Sequence, residues 1–155
     1  MELRQAVTQD DIAMARQLFE EYAASLNFSL CFQNFDEELN GLPGDYAPPE
    51  GALLLAYSSE NVAGCVALRA LEADVCEMKR LYVKPAFRGV GLGKKLVDAI
   101  IAEGRKRGYS AMRLDSAPMQ DRAQELYRKV GFVDIESYNS NPMDGVRYME
   151  LSLDS

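Results

Sequence analysis

Hydrophobic and polar positions alternate along this chain with two periods. Ile12, Ala15, Leu18, Phe19 and Tyr22 recur at three- and four-residue spacing, which predicts an amphipathic helix running to about Leu26. Thr8 stands at its N-cap, and Asp10 and Asp11 occupy its first turn, where the helix dipole favours acids. Leu92, Leu96, Val97, Ile100 and Ile101 form the clearest stripe and predict a helix from Gly91 to Lys106. Arg105, Lys106 and Arg107 sit at its cation-favouring end, and Gly108 stops it. From Asp121 to Val130 a further helix carries Ala123, Leu126, Tyr127 and Val130 on one side, stopped by Gly131. A short helix is predicted from Phe35 to Leu39.

The other apolar runs read as strands: residues 2–7, 52–57, 62–71, 75–83, 110–115, 132–138 and 146–153. The turn Ser58-Ser59-Glu60-Asn61 makes the second and third a hairpin, and Pro85 ends the fourth. Residues 41–51 and the segment around Asn141-Pro142 are loops by composition. The order β-α-(α)-β-β-β-α-β-α-β-β predicts an α/β domain, a mixed sheet with helices on its faces.

Length and composition narrow the picture. The chain has 155 residues, 48% of them hydrophobic and 26% charged, which suits one domain over 1–155 with a single packed interior. No apolar run approaches the ~20 residues that span a bilayer, and Met1-Glu2-Leu3-Arg4 lacks a secretory pattern, so a cytoplasmic location is expected. Cys31, Cys65 and Cys76 have no metal-ligand spacing, and no metal is expected. Histidine is absent, which excludes Ser-His-Asp triads, Cys-His dyads and His-based zinc sites. Acid-base chemistry is left to Glu, Asp, Lys, Tyr or a water chain. The net charge is −7, so nucleic acid is not expected as a partner. Its distribution is uneven: residues 1–78 hold fourteen acids and three basic residues, whereas 79–95 hold six basic residues and no acid. The basic stretch suits an anion.

That stretch contains Leu81-Tyr82-Val83-Lys84-Pro85-Ala86-Phe87-Arg88-Gly89-Val90-Gly91-Leu92-Gly93-Lys94-Lys95. A strand feeds a glycine-rich turn that opens a strong helix. Glycines let a ligand approach the backbone, and a helix N-terminus presents unpaired amides and partial positive charge, together a cradle for a pyrophosphate. Spacing argues against a P-loop, since Gly89 and Gly93 are one residue too close and Lys95 stands where Ser or Thr is required. It also argues against a dinucleotide fold, since GxGxG here lies mid-chain after hairpin strands. A glycine-rich helix entry without a ligand remains compatible with the same residues.

Arg88-x-x-Gly91-x-Gly93 resembles the Q/R-x-x-G-x-G/A signature of the GNAT N-acetyltransferase superfamily. Glu77-Met78-Lys79-Arg80-Leu81-Tyr82-Val83 looks like that family's central strand, and Ala123-x-x-Leu126-Tyr127-x-x-x-Gly131-Phe132 like its closing element. One departure is Gln120, where many members have Asn. The resemblance covers nearly the whole chain and suits a bacterial-type single-domain member. It implies a GNAT fold: a mostly antiparallel mixed sheet of about six or seven strands, splayed in the middle, with about four helices.

The resemblance also implies a co-substrate, acetyl-CoA, and an activity, acetyl transfer directly to a primary amine of a small molecule, amino acid or peptide. Its pyrophosphate would sit on the amides of Arg88, Gly89, Val90, Gly91, Leu92, Gly93 and Lys94. Its pantetheine arm would run beside Leu81, Tyr82 and Val83 like an added strand, with a backbone N–H there holding the oxyanion. A lysine-like amine has a pKa of about 10.4, so roughly one molecule in two thousand is neutral at pH 7, and a base is useful. By resemblance Glu77, eleven positions before Arg88, is the candidate base and Tyr127 the candidate acid for the departing sulfur. The plainer alternatives are a surface Glu paired with Lys79 or Arg113, and a core aromatic. The acceptor site would draw on residues 22–45 and 138–148, with Phe28, Phe32, Tyr46 and Tyr138 as candidates. A protein lysine or N-terminal acetyltransferase and a non-catalytic acyl-CoA sensor are the competing readings. A homodimer is compatible with each.

Overall fold

The computed structural model describes residues 1–26, 35–118, 120–139 and 144–154. Seven strands form one sheet: β1 (Glu2–Gln5), β2 (Ala52–Ser58), β3 (Asn61–Glu72), β4 (Val75–Val83), β5 (Ala111–Ser116), β6 (Val133–Ile135) and β7 (Arg147–Ser152). Their order is β1-β2-β3-β4-β5-β7-β6. Every pairing is antiparallel except β4 with β5. Four α-helices accompany them: α1 (Gln9–Ser25), α2 (Phe35–Asn40), α3 (Leu92–Lys106) and α4 (Asp121–Val130).

The helices form where the stripes predict them. Thr8 caps α1 by accepting a hydrogen bond from the Asp11 amide at 3.0 Å. Gly91 is the N-cap of α3 in the left-handed conformation, so the helix proper begins one residue later than the pattern suggests. The terminal strands are shorter than expected: β1 stops at Gln5 and β6 at Ile135. Short 3₁₀ turns over Gly44–Tyr46 and Pro85–Phe87 break what composition reads as plain loop.

Two apolar layers cover the sheet. Leu53, Leu55, Cys65, Ala67 and Tyr82 pack with Ala15, Leu18 and Phe19 of α1 and Phe35 of α2. On the opposite face Leu54, Ala56, Val66, Leu68, Met78, Met112 and Leu114 pack with Leu96, Val97, Ile100 and Ile101 of α3 and Tyr127 of α4. The period-two alternation of β2 and β3 supplies both layers, as a sheet buried on both faces requires.

Two irregularities position the site. The first is the seam between β4 and β5, whose pairing covers only Val75–Ala111, Cys76–Met112 and Glu77–Arg113. Beyond it β4 stays with β3 and β5 stays with β7, so the strands part. The second is a bulge in β4. Cys65 opposes Tyr82 whereas Ala67 opposes Lys79, so two steps on β3 answer three on β4. Arg80 takes the extra position with φ of 60°. The bulge resets the side-chain alternation: Glu77 and Tyr82, an odd number of residues apart, come to share the α1 face.

Candidate active site

A positive φ at a non-glycine residue costs about 1 kcal/mol or more. Arg80 offsets this by a bidentate pair with Glu38 of α2, Nε to Oε2 at 2.9 Å and Nη2 to Oε1 at 2.8 Å. Its guanidinium also lies 5.3 Å from the Phe35 ring centroid and 6.0 Å from that of Tyr22. Burial opposes the Arg80 charge, but Glu38 outweighs it and holds the pKa above its ordinary value.

Where β4 and β5 separate, a cavity of about 60 Å³ opens. It is lined by Lys79, Arg80 and Leu81 on one side and Leu114, Asp115 and Ala117 on the other, with Tyr22, Gln120, Ala123 and Tyr127 above and below. A groove of about 690 Å³ shares Tyr22, Leu81, Gln120 and Ala123 with the cavity and runs out to the start of α3. Of the residues expected to hold a coenzyme, Leu81, Tyr82, Val83, Arg88, Gly89, Gly91, Leu92 and Gly93 all line this groove. Val90 and Lys94 do not: Val90 is 66% exposed, and Lys94 donates to Asp98 at 2.7 Å on the outer surface of α3.

The groove ends at the N-terminus of α3. Gly91 makes no side-chain cap, and the first helical hydrogen bond of this turn runs from the Lys95 amide to the Gly91 carbonyl. The amides before it are orphan donors at the positive end of a helix. Gly89 and Gly91 have φ of 85° and 82°, and a Cβ at either would meet nothing within 4 Å. Glycine is therefore required there by torsion, while the space outside stays open for a ligand. Arg88 folds back so that its Nε donates to the Val83 carbonyl at 2.9 Å, tying the turn to the end of β4.

Sequence reasoning missed Tyr22, Ser25, Phe87, Asp121, Arg122, Ala123 and Leu126 as groove residues. In the sequence Ala123 and Leu126 enter only with the closing motif, Tyr22 only with the acceptor region, and Gln120 only as a departure from the family pattern. Its Oε1 accepts from the Ser116 hydroxyl and the Ala117 amide, both at 3.0 Å, which fixes the turn leading into α4.

The expected catalytic pair is divided. Tyr127 lines the cavity from α4, is 7% exposed, and packs 5.8 Å from the Phe132 ring. Burial pushes its phenol well above the ordinary tyrosine value, so it stays protonated at neutral pH. Glu77 lies outside the cavity lining and is 1% exposed. Arg69 Nε donates to its Oε1 at 2.8 Å, the Tyr138 hydroxyl donates to its Oε2 at 2.7 Å, and Lys79 Nζ stands 3.9 Å away. Burial alone would raise the Glu77 pKa, but Lys79, Arg69 and the Tyr138 hydrogen bond outweigh it and hold the carboxyl below its usual range. The alternative partner Arg113 instead reaches Glu150 at 2.8 Å and Glu72 at 2.7 Å.

The acceptor candidates scatter. Tyr138 is drawn to Glu77 and stacks edge-on against Tyr148 at 5.3 Å. Tyr46 does not reach the cavity; it is 3% exposed and packs edge-on against Phe19 in the α1 layer. Its aromatic ring answers the demand for core under α1 rather than for a ligand. Phe28, Phe32 and the Asn141-Pro142 loop lie outside the described residues. Among the described residues no helix is long and apolar enough to cross a membrane.

The model of the acetyltransferase (GNAT) family matches residues 13–132, most of the chain. The chain belongs to this family. This GNAT-family N-acetyltransferase is 41% identical over 145 residues to an uncharacterised N-acetyltransferase of Schizosaccharomyces pombe, covering 92% of this chain and 89% of the relative. It superposes with a TM-score of 0.73 and 25% identity on a structure from Klebsiella pneumoniae described as an acyl-CoA N-acyltransferase, over 99% and 97% of the two chains. The same fold recurs in a Salmonella typhimurium structure solved with its cofactor acetyl-CoA, at a TM-score of 0.72 and 19% identity, over 99% and 94%. The seven-stranded mixed sheet with four helices is thus the GNAT fold, as the sequence motifs imply.

Proposed function

We propose that this acetyltransferase binds acetyl-CoA along the groove and transfers the acetyl group directly to a primary amine of a small molecule, amino acid or peptide. The observation that carries the reading is the parting of β4 from β5, which opens a cavity at the inner end of a groove that starts on the orphan amides of α3. The amides around Gly89 to Lys94 and the Arg88 guanidinium suit a diphosphate. The open edge of β4 over Leu81, Tyr82 and Val83 suits an amide-bearing arm laid alongside it. The bound thioester supplies the electrophilic carbonyl.

The protein's own contribution follows from what lines the cavity. A β4 backbone N–H polarises the carbonyl oxygen. Tyr127, a neutral phenol in an apolar wall, donates a proton to the departing sulfur. Glu77 holds Arg69, Lys79 and Tyr138 in place rather than taking the acceptor's proton: both its oxygens are engaged, and its lowered pKa makes it a weaker base than an ordinary carboxylate.

Titration calorimetry with coenzyme A, together with thiol release from acetyl-CoA across a panel of free amines and peptides, tests the reading. Saturable binding with transfer to at least one amine is expected. Absence of binding overturns the site. Binding without transfer across the panel favours an acyl-CoA sensor.

A further inference from the structure

Resting on the amine-acetylating reading, we propose that the acceptor carries its own carboxylate beside the amine, as a free amino acid does, and that Lys79 holds that carboxylate at the α1 side of the cavity. The bulge of β4 sets up this arrangement. Met78 belongs to the α3 layer, and Lys79 turns to the α1 face beside Glu77. In a regular strand the next residue would return to the α3 layer. Arg80 is the surplus residue and instead reaches Glu38 and Phe35 of α2 and Tyr22 of α1. Two consecutive cations therefore stand on one face of the sheet, and both line the cavity where β4 leaves β5.

The acids around them are distributed unevenly. Glu38 holds Arg80 through both its oxygens. Glu77 is shared: Arg69 donates to Oε1 at 2.8 Å, and Lys79 Nζ faces the same oxygen at 3.9 Å. Asp115, the one carboxylate among the described residues of the cavity lining, also attracts Lys79, while Arg80 and Arg69 repel it. Burial is the largest influence, and with the two arginines it outweighs both acids and holds the Lys79 ammonium below its ordinary pKa. The Lys79 side chain, 11% exposed, is thus a covered cation that a further anion stabilises.

A carboxylate on the incoming acceptor supplies that anion. An acceptor whose only charge is an ammonium meets the opposite, two covered cations on the wall it approaches, and like charges brought together cost binding. A protein lysine side chain has no carboxylate near its amine, and a peptide N-terminus has exchanged its own for an amide. A free amino acid carries both groups on one carbon. The lining offers both signs to match, Lys79 and Arg80 from β4 and Asp115 from β5 across the gap. Arg80, pinned by Glu38, adds charge beside Lys79 and is a positioning residue in this scheme.

The test uses the full chain, acetyl-CoA, free amino acids, the matching amino-acid amides and a diamine without a carboxylate, read by thiol release. For the best amino acid, kcat/KM is expected to exceed that of its amide by about 100-fold, the worth of one charge-assisted hydrogen bond. In Lys79→Met the KM for the amino acid should rise about 100-fold with kcat changed less than about threefold, and the amide should be used as in the wild type. Coenzyme A affinity by calorimetry should be unchanged. Lys79→Arg should keep a preference of at least about tenfold. Lys79→Gln replaces Lys79→Met if the latter loses its fold by circular dichroism. Equal use of amino acid and amide by the wild-type protein overturns the proposal while amine acetylation stands. A wild-type preference in the uncharged variant that folds overturns the assignment to Lys79. No transfer to any acceptor overturns the amine-acetylating reading, and this proposal with it.

Discussion

The two faces of the sheet meet the gap between β4 and β5 in opposite ways. On the α3–α4 face the wall is apolar, with Leu81, Leu114 and Ala123 around the single hydroxyl of Tyr127. On the α1 face it is ionic: Lys79 and Arg80 line it, held from behind by Glu77, itself paired with Arg69, and by Glu38. A greasy wall keeps a phenol neutral and suits a thioester and a leaving thiol, while an ionic wall suits a charged acceptor. On the proposed reading the reaction crosses the sheet, with each reactant arriving from the side whose dielectric suits it.

The comparison can be broken most sharply at Glu77. If the ionic wall depends on this carboxylate, Glu77→Gln takes from Arg69 and Lys79 their shared buried counter-charge, leaving Arg69 the exposed Asp45 at 4.0 Å, and should lower stability by about 3 kcal/mol in urea unfolding at pH 7. Lys79, Arg69 and the Tyr138 hydrogen bond hold the folded-state pKa of Glu77 below the ordinary carboxylate range, so its contribution is present above that range and lost as pH falls through the folded value. The stability gap between wild type and Glu77→Gln should therefore close as pH is lowered below about 4. A gap that is constant with pH would mean that Glu77 acts through shape rather than charge.

On the apolar face Tyr127→Phe keeps the packing and removes one hydroxyl. A loss of about 30-fold in kcat with unchanged coenzyme A affinity is expected, read by steady-state kinetics and calorimetry. At the mouth of the groove, Gly91→Ala should cost about 1 kcal/mol in thermal or urea unfolding, because the added Cβ meets no neighbour and only the torsion is penalised. The smallest effect belongs to Lys94→Ala. Its pair with Asp98 is exposed on both sides, so stability should change by less than about 0.5 kcal/mol. A drop in coenzyme A affinity in that variant would bring Lys94 back into the diphosphate seat.

How much of this was legible beforehand depended on whether a feature is periodic. The α3 stripe and the glycines before it are local, and they place the helix and the glycine turn that opens it correctly. The bulge at Arg80 is invisible to such reasoning. Residues 77–83 alternate well enough to pass for a plain strand, and only the pairing with β3 shows that one residue is surplus. Glu77 was singled out by its distance from Arg88, but spacing carries no information on partners, and Arg69 from the neighbouring strand is what engages it. Asp115 was passed over for the converse reason. Nothing in Ala111-Met112-Arg113-Leu114-Asp115-Ser116 distinguishes a carboxylate at an opened seam from one on a solvated edge. Tyr46 shows the remaining limit, since an aromatic ring next to acids reads as a cation site until its burial against Phe19 is seen.

The three-rung seam has a mechanical consequence. It divides the sheet into a four-strand plate and a three-strand plate, hinged where Glu77 and Arg113 last touch. A molecule wedged between the plates acts as mortar, and each bond it makes to both sides is withheld from the unfolded chain. The melting temperature should climb with the logarithm of its concentration, and the slowest amides to exchange deuterium should shift toward the hinge when it is present.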